Sequence, residues 1–395
     1  MNKRRNLIFT LVRAVLAIGI ALLVAMALIF LCSDKNGFVA RLVDTFKTMR
    51  YMLISPLFRS NGSFSVKGLT DVLALTVPIM FTGLATTVMF SAKQFNLGAE
   101  GGIMLGAFTA GVIAVYAPLP AIVLPVVAVI GACVVTAAMM LIPAVLKAKY
   151  NVSEMVNSLM LNYVIMYVIK YLMNTYLCDT TRGSVQTLPY QPQATFAPLI
   201  NNGSKLSYGF IIGLFMAVLI WLFMYRTKWG YGVRMIGINQ KFSQYSGINV
   251  AKAVIICQVI GGVLAGMGGA VEQLGRYQAY DWMALTGHGW TGITVAILAN
   301  NNPIFVPLAA FFMSYLDKGC QLMTTHSPVP AQLINIIQAV IFLFFAARKF
   351  LARYRQRLVV KTAREDQAAM ERAAAGLAGL GSKQAADGRS DVEVK

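Results

Sequence analysis

Apolar residues fall in ten runs separated by short polar breaks: Ala14–Cys32, Leu69–Phe90, Phe95–Ala117, Pro120–Leu146, Met155–Leu177, Tyr208–Tyr225, Ala251–Val271, Trp290–Ala299, Pro303–Leu316 and Ala331–Ala347. Several reach the ~20 residues that a helix needs to cross a bilayer. The pattern predicts an all-α, polytopic membrane protein with about ten transmembrane helices. The eighth and ninth runs are short and separated by Asn300-Asn301-Asn302-Pro303. Two crossings or one broken span both fit them, because membrane helices break where protein or a cavity covers the backbone.

Composition agrees. Of 395 residues, 57% are hydrophobic and 12% charged, whereas soluble domains carry about a quarter charged residues. Charge sets the orientation. With Lys3, Arg4 and Arg5 inside, ten crossings place both termini in the cytoplasm, whereas nine would expose the eleven Lys/Arg of the tail outside, against the positive-inside bias. The outer loop Ser33–Gly68 departs from that bias with six basic residues, and its stretch 38–57 fits an amphipathic helix lying on the membrane. Ala25-x-Ala27 resembles a signal-peptidase site, but it lies inside an unbroken apolar run, so an uncleaved first span is expected. The chain divides into a transmembrane domain, 1–350, with a soluble loop at about 226–250, and a charged, partly disordered cytoplasmic tail, 351–395.

The net charge of +19 sits at run ends and in the tail, and no RNA- or DNA-reading motif interrupts the runs, so lipid rather than nucleic acid is the expected partner. Cys32, Cys133, Cys178, Cys257 and Cys320 are odd in number and lack CxxC spacing, which gives neither a disulfide framework nor a zinc site. His288 and His326 are the only histidines, too few for most metal sites or triads. There is no Walker A loop. Gly287-x-Gly289-x-x-Gly292 matches a dinucleotide fingerprint in form only: no strand precedes it and a membrane run follows, so tight helix packing is expected. Neither catalysis nor a bound metal or cofactor is expected of this chain alone.

Small residues recur every four positions at Gly98, Gly102, Gly106 and Ala110, and again at Gly262, Gly266 and Ala270. Such ridges let membrane helices approach closely. Glu100 lies among them. With Asn96 as N-cap it falls in the first helical turn, where a negative charge meets the positive end of the helix dipole. At ~6 Å from that cap it is shallow, which favours a structural role, or one at a cavity mouth, over proton relay. It is the only acid placed clearly within a span. Glu154, Ser158, Asn162, Met166 and Lys170 form a row at four-residue spacing, either a translocation path or an interhelical hydrogen-bond seam. Asn96, Glu100, Ser158, Asn162 and Trp290 are thus the candidates for path or seam.

The stretch Arg226–Lys252 is long and basic for an inner loop. Asn239 can cap a short helix that Gly247 ends, with Phe242 and Tyr245 on one face. Exposed aromatics of this kind suit docking in another protein's groove, or an interfacial position on lipid. At this loop the chain resembles a family. Gly232-x-Arg234-x-x-Gly237-x-Asn239 followed by Gly247-Ile248 is similar to the cytoplasmic coupling loop of inner-membrane permease subunits of bacterial ABC importers, in the simple-sugar, branched-chain amino-acid and nucleoside branch. Phe242-Ser243 stands where that family usually has a small pair. Phe95–Gly101 is close to FNxGxEG of the nucleoside-type members, Asn151–Tyr163 resembles their fifth-helix start, and Gly289–Pro303 resembles G[FW]xGIxVAxLGxxxP, with Ala299 for the usual glycine. The resemblance covers roughly residues 10–350.

It implies a bacterial cytoplasmic-membrane location and alternating access by two permease chains, nucleoside systems often pairing different ones. It also implies ATPase subunits carrying ATP and Mg beneath, and an external solute-binding protein. Nucleosides are the expected solute, with simple sugars or riboflavin-like ligands as alternatives. An ion-coupled secondary transporter is the rival class, with only Lys170 and Glu100 to serve it.

Overall fold

The computed structural model describes residues 37–58, 62–179, 183–200 and 205–326, with residues 181 and 203 and scattered positions in 19–31 and 336–340. Two compact units divide the chain: residues 25–336 form one, and 1–24 with 337–395 the other. The first apolar run is described only at isolated positions, and the tail lies outside the described residues, as does nearly all of Ala331–Ala347.

The larger unit is all-helical, with only two isolated β-bridges among the described residues. Its helices are α1 (Phe38–Leu53), α2 (Val66–Ser91), α3 (Ala99–Tyr116), α4 (Val123–Tyr150), α5 (Glu154–Leu172), α6 (Gly209–Arg226), α7 (Lys228–Ile238), α8 (Gln240–Tyr245), α9 (Val250–Arg276), α10 (His288–Leu298) and α11 (Val306–His326). Six described helices are long and apolar enough to cross a bilayer, or seven spans if the bent pair formed by α10 and the chain from Pro303 is counted as one. That pair bends by 119°, so α11 turns back instead of continuing α10. Eleven residues reach only ~16 Å, about half a hydrocarbon core. The eighth run is therefore a half-helix, preceded by the non-helical stretch 277–287.

α1 is the amphipathic helix expected in the first outer loop. It buries Thr45, Thr48 and Met52 while leaving Phe38, Val39 and Phe46 exposed. Tyr315 Oη donates to the Leu53 carbonyl, which ties α1 to α11.

α9 is the axis of the bundle. Gly261 lies against Met89 and Gly268 against Phe81, so α2 runs antiparallel to it. Gly262 and Gly266 abut Thr136 and Ala132 of α4, and α3 runs parallel to α9, Gly102 against Ala265 and Gly106 against Gly266. The four-residue glycine ridges are thus the contact surfaces of three helices. A Cβ on Gly106 would lie 2.5 Å from the Gly266 Cα, a backbone atom that cannot rotate away. Gly98 differs: it faces the Met140 side chain of α4, 2.8 Å from where a Cβ would stand. Gly106→Val is accordingly expected to destabilise the chain by about 1–3 kcal/mol through overpacking. Thermal unfolding in detergent checks this, and an unchanged midpoint would contradict the α3–α9 packing.

Candidate functional site

Two constructions stand out: a polar knot where α3 begins, and an exposed helix in the loop between α6 and α9.

The knot starts with a correction. α3 begins at Ala99 with Gly98 at its cap, not with Asn96, and Phe95–Gly98 is non-helical. The reason lies in α5. Its side chains take the amide hydrogens of this segment away from helical use: Phe95 N donates to Glu154 Oε1 at 3.3 Å, Leu97 N to Ser158 Oγ at 2.9 Å and Gly101 N to Asn162 Oδ1 at 3.0 Å. Asn162 Nδ2 donates back to the Leu97 carbonyl at 3.0 Å. Ser158 and Asn162 are fully buried, and Glu154 also pairs with Lys147 at 2.9 Å. The row Glu154, Ser158, Asn162 is a hydrogen-bond seam. Lys170, further along α5, stands over the Tyr167 ring instead.

Asn96 Oδ1 accepts from Gly98 N at 2.6 Å while its Nδ2 donates to Gln258 Oε1 of α9 at 2.9 Å. Gln258 lies ~12 Å along α9 from Val250. Glu100 follows one turn later, and Gly102 already meets Ala265, past the middle of α9. Glu100 is therefore deep in the bundle and 1% exposed, not shallow. Counting from the cap misjudged its depth because α3 starts inside the bundle.

The Glu100 carboxylate caps α10. Gly287 N donates to Oε1 and Gly289 N to Oε2, both at 2.6 Å, and Thr286 Oγ1 donates to Oε1 at 3.3 Å. The first amides of a helix lack internal partners and carry the positive end of its dipole, so an anion there is favourable. Each glycine of Gly287-x-Gly289-x-x-Gly292 is accounted for. Gly287 has φ +82°, a Cβ on Gly289 would lie 2.5 Å from Glu100 N, and Gly292 packs on Thr82. Thr82 Oγ1 donates to the His288 carbonyl at 2.9 Å. The fingerprint-like spacing thus seats a half-helix between α2 and α3. Trp290, on the other side of this helix, is 46% exposed.

Sequence reasoning missed Gln258 and Thr82, whose roles depend on helices far apart in the chain. It also missed Glu272. α9 continues beyond Val271 to Arg276, so Glu272 is a further buried acid within a long helix, paired with Arg276 at 3.2 Å. Polar residues inside apolar runs were the available signal for Gln258 and Thr82, whereas Glu272 lies just past its run. The stretch between α5 and α6 adds Tyr190, whose hydroxyl accepts from Gln273 Nε2 at 2.7 Å, and burial pushes its phenol above the ordinary range.

At the other end of the bundle, Thr227 caps α7 by accepting from Gly230 N at 3.1 Å. Asn239 Oδ1 accepts from Phe242 N at 3.1 Å and starts α8, and Gly247, at φ +80°, ends it. Phe242 is 56% and Tyr245 90% exposed, while Ser243 is buried and bonds back to the Asn239 carbonyl at 2.8 Å. Gly232 faces Ile248, closing the loop on itself. The Arg234 guanidinium stacks 4.6 Å from the Tyr225 ring centre. Gly237 packs on the Ser91 carbonyl, and Lys93 Nζ donates to the Ile238 carbonyl at 3.3 Å. The end of α7, next to α8, thus lies against the end of α2.

Residues 68–346 match the family described as the branched-chain amino acid transport system permease component. The glucose ABC transporter permease protein TsgB13 of Haloferax volcanii is 32% identical over 297 residues, 73% of this chain and 78% of that one. The guanosine ABC transporter permease protein NupP of Bacillus subtilis is 31% identical over 291 residues, 73% of this chain and 83% of its own. The nucleoside ABC transporter permease protein NupB of Lactococcus lactis is 28% identical over 297 residues, 73% and 81% of the two chains. With a bundle of apolar helices and a family match across most of its length, this chain is a multi-pass membrane protein belonging to the ABC-transporter permease family of branched-chain amino acid transport systems.

Proposed function

We propose that the chain is the permease subunit of an ATP-driven importer that moves nucleosides across a bacterial cytoplasmic membrane by alternating access. The observation that carries the coupling is α8: a short helix, capped at both ends and packed through α7 on α2, that offers Phe242 and Tyr245 to a partner. An ATPase subunit is the fitting partner, since helices of this kind dock in grooves of other proteins. ATP and Mg belong to that subunit, and the permease carries none itself. Closure of two ATPases would push α8 and, through Gly237 and Lys93, the end of α2, favouring one access state over the other.

The preference for nucleosides rests on the Phe95–Gly101 sequence and on two relatives named for guanosine and nucleoside transport. The relative named for glucose keeps simple sugars as the second reading. Topology follows the charge pattern: ten crossings, with the run Trp290–Ala299 as the helical half of one, and both termini cytoplasmic. A second permease, a different chain, and an extracytoplasmic binding protein complete the assembly. Gentle purification of the tagged chain from its native membrane is expected to bring down an ATP-binding subunit and a second permease. Recovery without any ATP-binding subunit, at a detergent concentration that preserves other transporter complexes, would count against the proposal.

A further inference from the structure

We propose that a cleft at the end of the bundle opposite α8 binds a phosphate-type anion. The cleft has a volume of about 260 Å³ and lies among the first turns of α2, Gly203 and Lys205, the last turn of α9 and α11. Lys67, Lys205, Arg276 and Lys318 line it, with Asp71 as the lone acid in the lining. Asp71 Oδ2 accepts from Lys318 Nζ at 3.1 Å. Arg276 is held from behind by Glu272 at 3.2 Å. Asp317, beside Lys318, accepts from Gln321 Nε2 at 3.3 Å and feels both Arg276 and Lys318.

Two of the four cations are thus engaged by carboxylates. The ammonium groups of Lys67 and Lys205, exposed at the mouth, make no hydrogen bond or ion pair with the described residues, although Lys205 stands near enough to Glu272 and Asp281 to feel their charge. Lys67 Nζ lies 3.9 Å from where a Cβ on Gly203 would stand, so the mouth is narrow.

Asp71 and Glu272 each engage one of the four cations, which leaves the Lys67 and Lys205 ammoniums as the groups open to an added anion. A tetrahedral oxyanion offers several acceptors at once and suits lysines as point charges with arginine as a fork. The site also sits near the ends of helices long enough to cross a bilayer, where phosphates are abundant. An anion held there would tie α2 to α9 and α11. The phosphate of an acidic phospholipid and a soluble phosphate share this chemistry.

The test uses the full chain in detergent, with native mass spectrometry to count retained lipid. Phosphatidylglycerol is expected to be retained, and phosphatidylcholine, whose choline cancels the charge, much less. Lys67→Gln with Lys205→Gln is expected to weaken phosphatidylglycerol retention about tenfold or more, at roughly the contribution of a surface cation for each lysine. Lys67→Arg with Lys205→Arg should keep it. Neither ammonium has a hydrogen-bond or ion-pair partner among the described residues, so the Gln pair is expected to unfold at the wild-type midpoint without lipid. Competition by millimolar inorganic phosphate would assign the cleft to soluble phosphates as well, and indifference to it would assign the cleft to the lipid headgroup. Equal retention by the wild type and the Gln pair, or none of either probe by the wild type, overturns the proposal.

Discussion

Glu100→Ala is expected to unseat α10 and to abolish transport. The substitution leaves the amides of Gly287 and Gly289, which donate to the carboxylate at 2.6 Å, without acceptors in the interior. Each buried, unsatisfied donor costs about 1–3 kcal/mol, and two together reach about 2–6 kcal/mol, a large part of the ordinary stability of a folded chain. Glu100→Gln keeps the shape and one carbonyl acceptor, so it should fall between Ala and wild type. Thermal unfolding of the purified chain and uptake by whole cells separate the two roles open to this residue. Loss of stability together with uptake marks an anchor. A Glu100→Gln protein that is fully stable yet cannot transport would instead mark a carrier of protons.

The second large effect lies at α8. Phe242→Ala and Tyr245→Ala together remove the two exposed aromatics while leaving the Asn239 cap and the buried Ser243 in place. Aromatic anchors at protein interfaces contribute about 2 kcal/mol or more each. Uptake is therefore expected to fall at least about tenfold, with the chain still inserted and ATP use by the assembled complex no longer tied to solute. Normal transport with both changes present would remove this loop from the mechanism. The positions behind it should respond differently: Gly237 packs directly on Ser91, so a side chain there shifts backbone rather than an exposed contact.

The long spans were legible because apolar run length is set by bilayer thickness, a constraint external to the protein. Runs two to seven each contain one described long helix. The loop helix was legible for a local reason: Asn239, Gly247 and the aromatic pair lie within ten residues of one another, and capping is a short-range interaction. The glycine ridges gave the close-packed faces, though not which helix each would meet.

The polar knot was the difficult part. Asn96 gave the pattern of an N-cap, but Ser158 and Asn162, some sixty residues away, bind the Leu97 and Gly101 amides and delay α3 to Ala99. Glu100 lies deep although it is the second residue of α3, because that helix starts inside the bundle, so an estimate from helix rise alone went astray. Its true partners, Gly287 and Gly289, are nearly two hundred residues distant. Nothing in the local pattern connects the lone acid of one motif to the glycines of the other. Glu272 was overlooked for a simpler reason: hydropathy falls at Val271 while the helix runs on to Arg276, whose charge offsets the acid.

Uptake of labelled purine and pyrimidine nucleosides, in cells with and without this chain, tests the central claim most directly when repeated under ATP depletion and under an ionophore. The expected result is loss of nucleoside uptake on deletion, with the remaining wild-type uptake sensitive to ATP depletion and indifferent to the ionophore. Uptake that follows the ion gradient instead, with ATP depletion compensated by an imposed gradient, would contradict an ATP-driven importer.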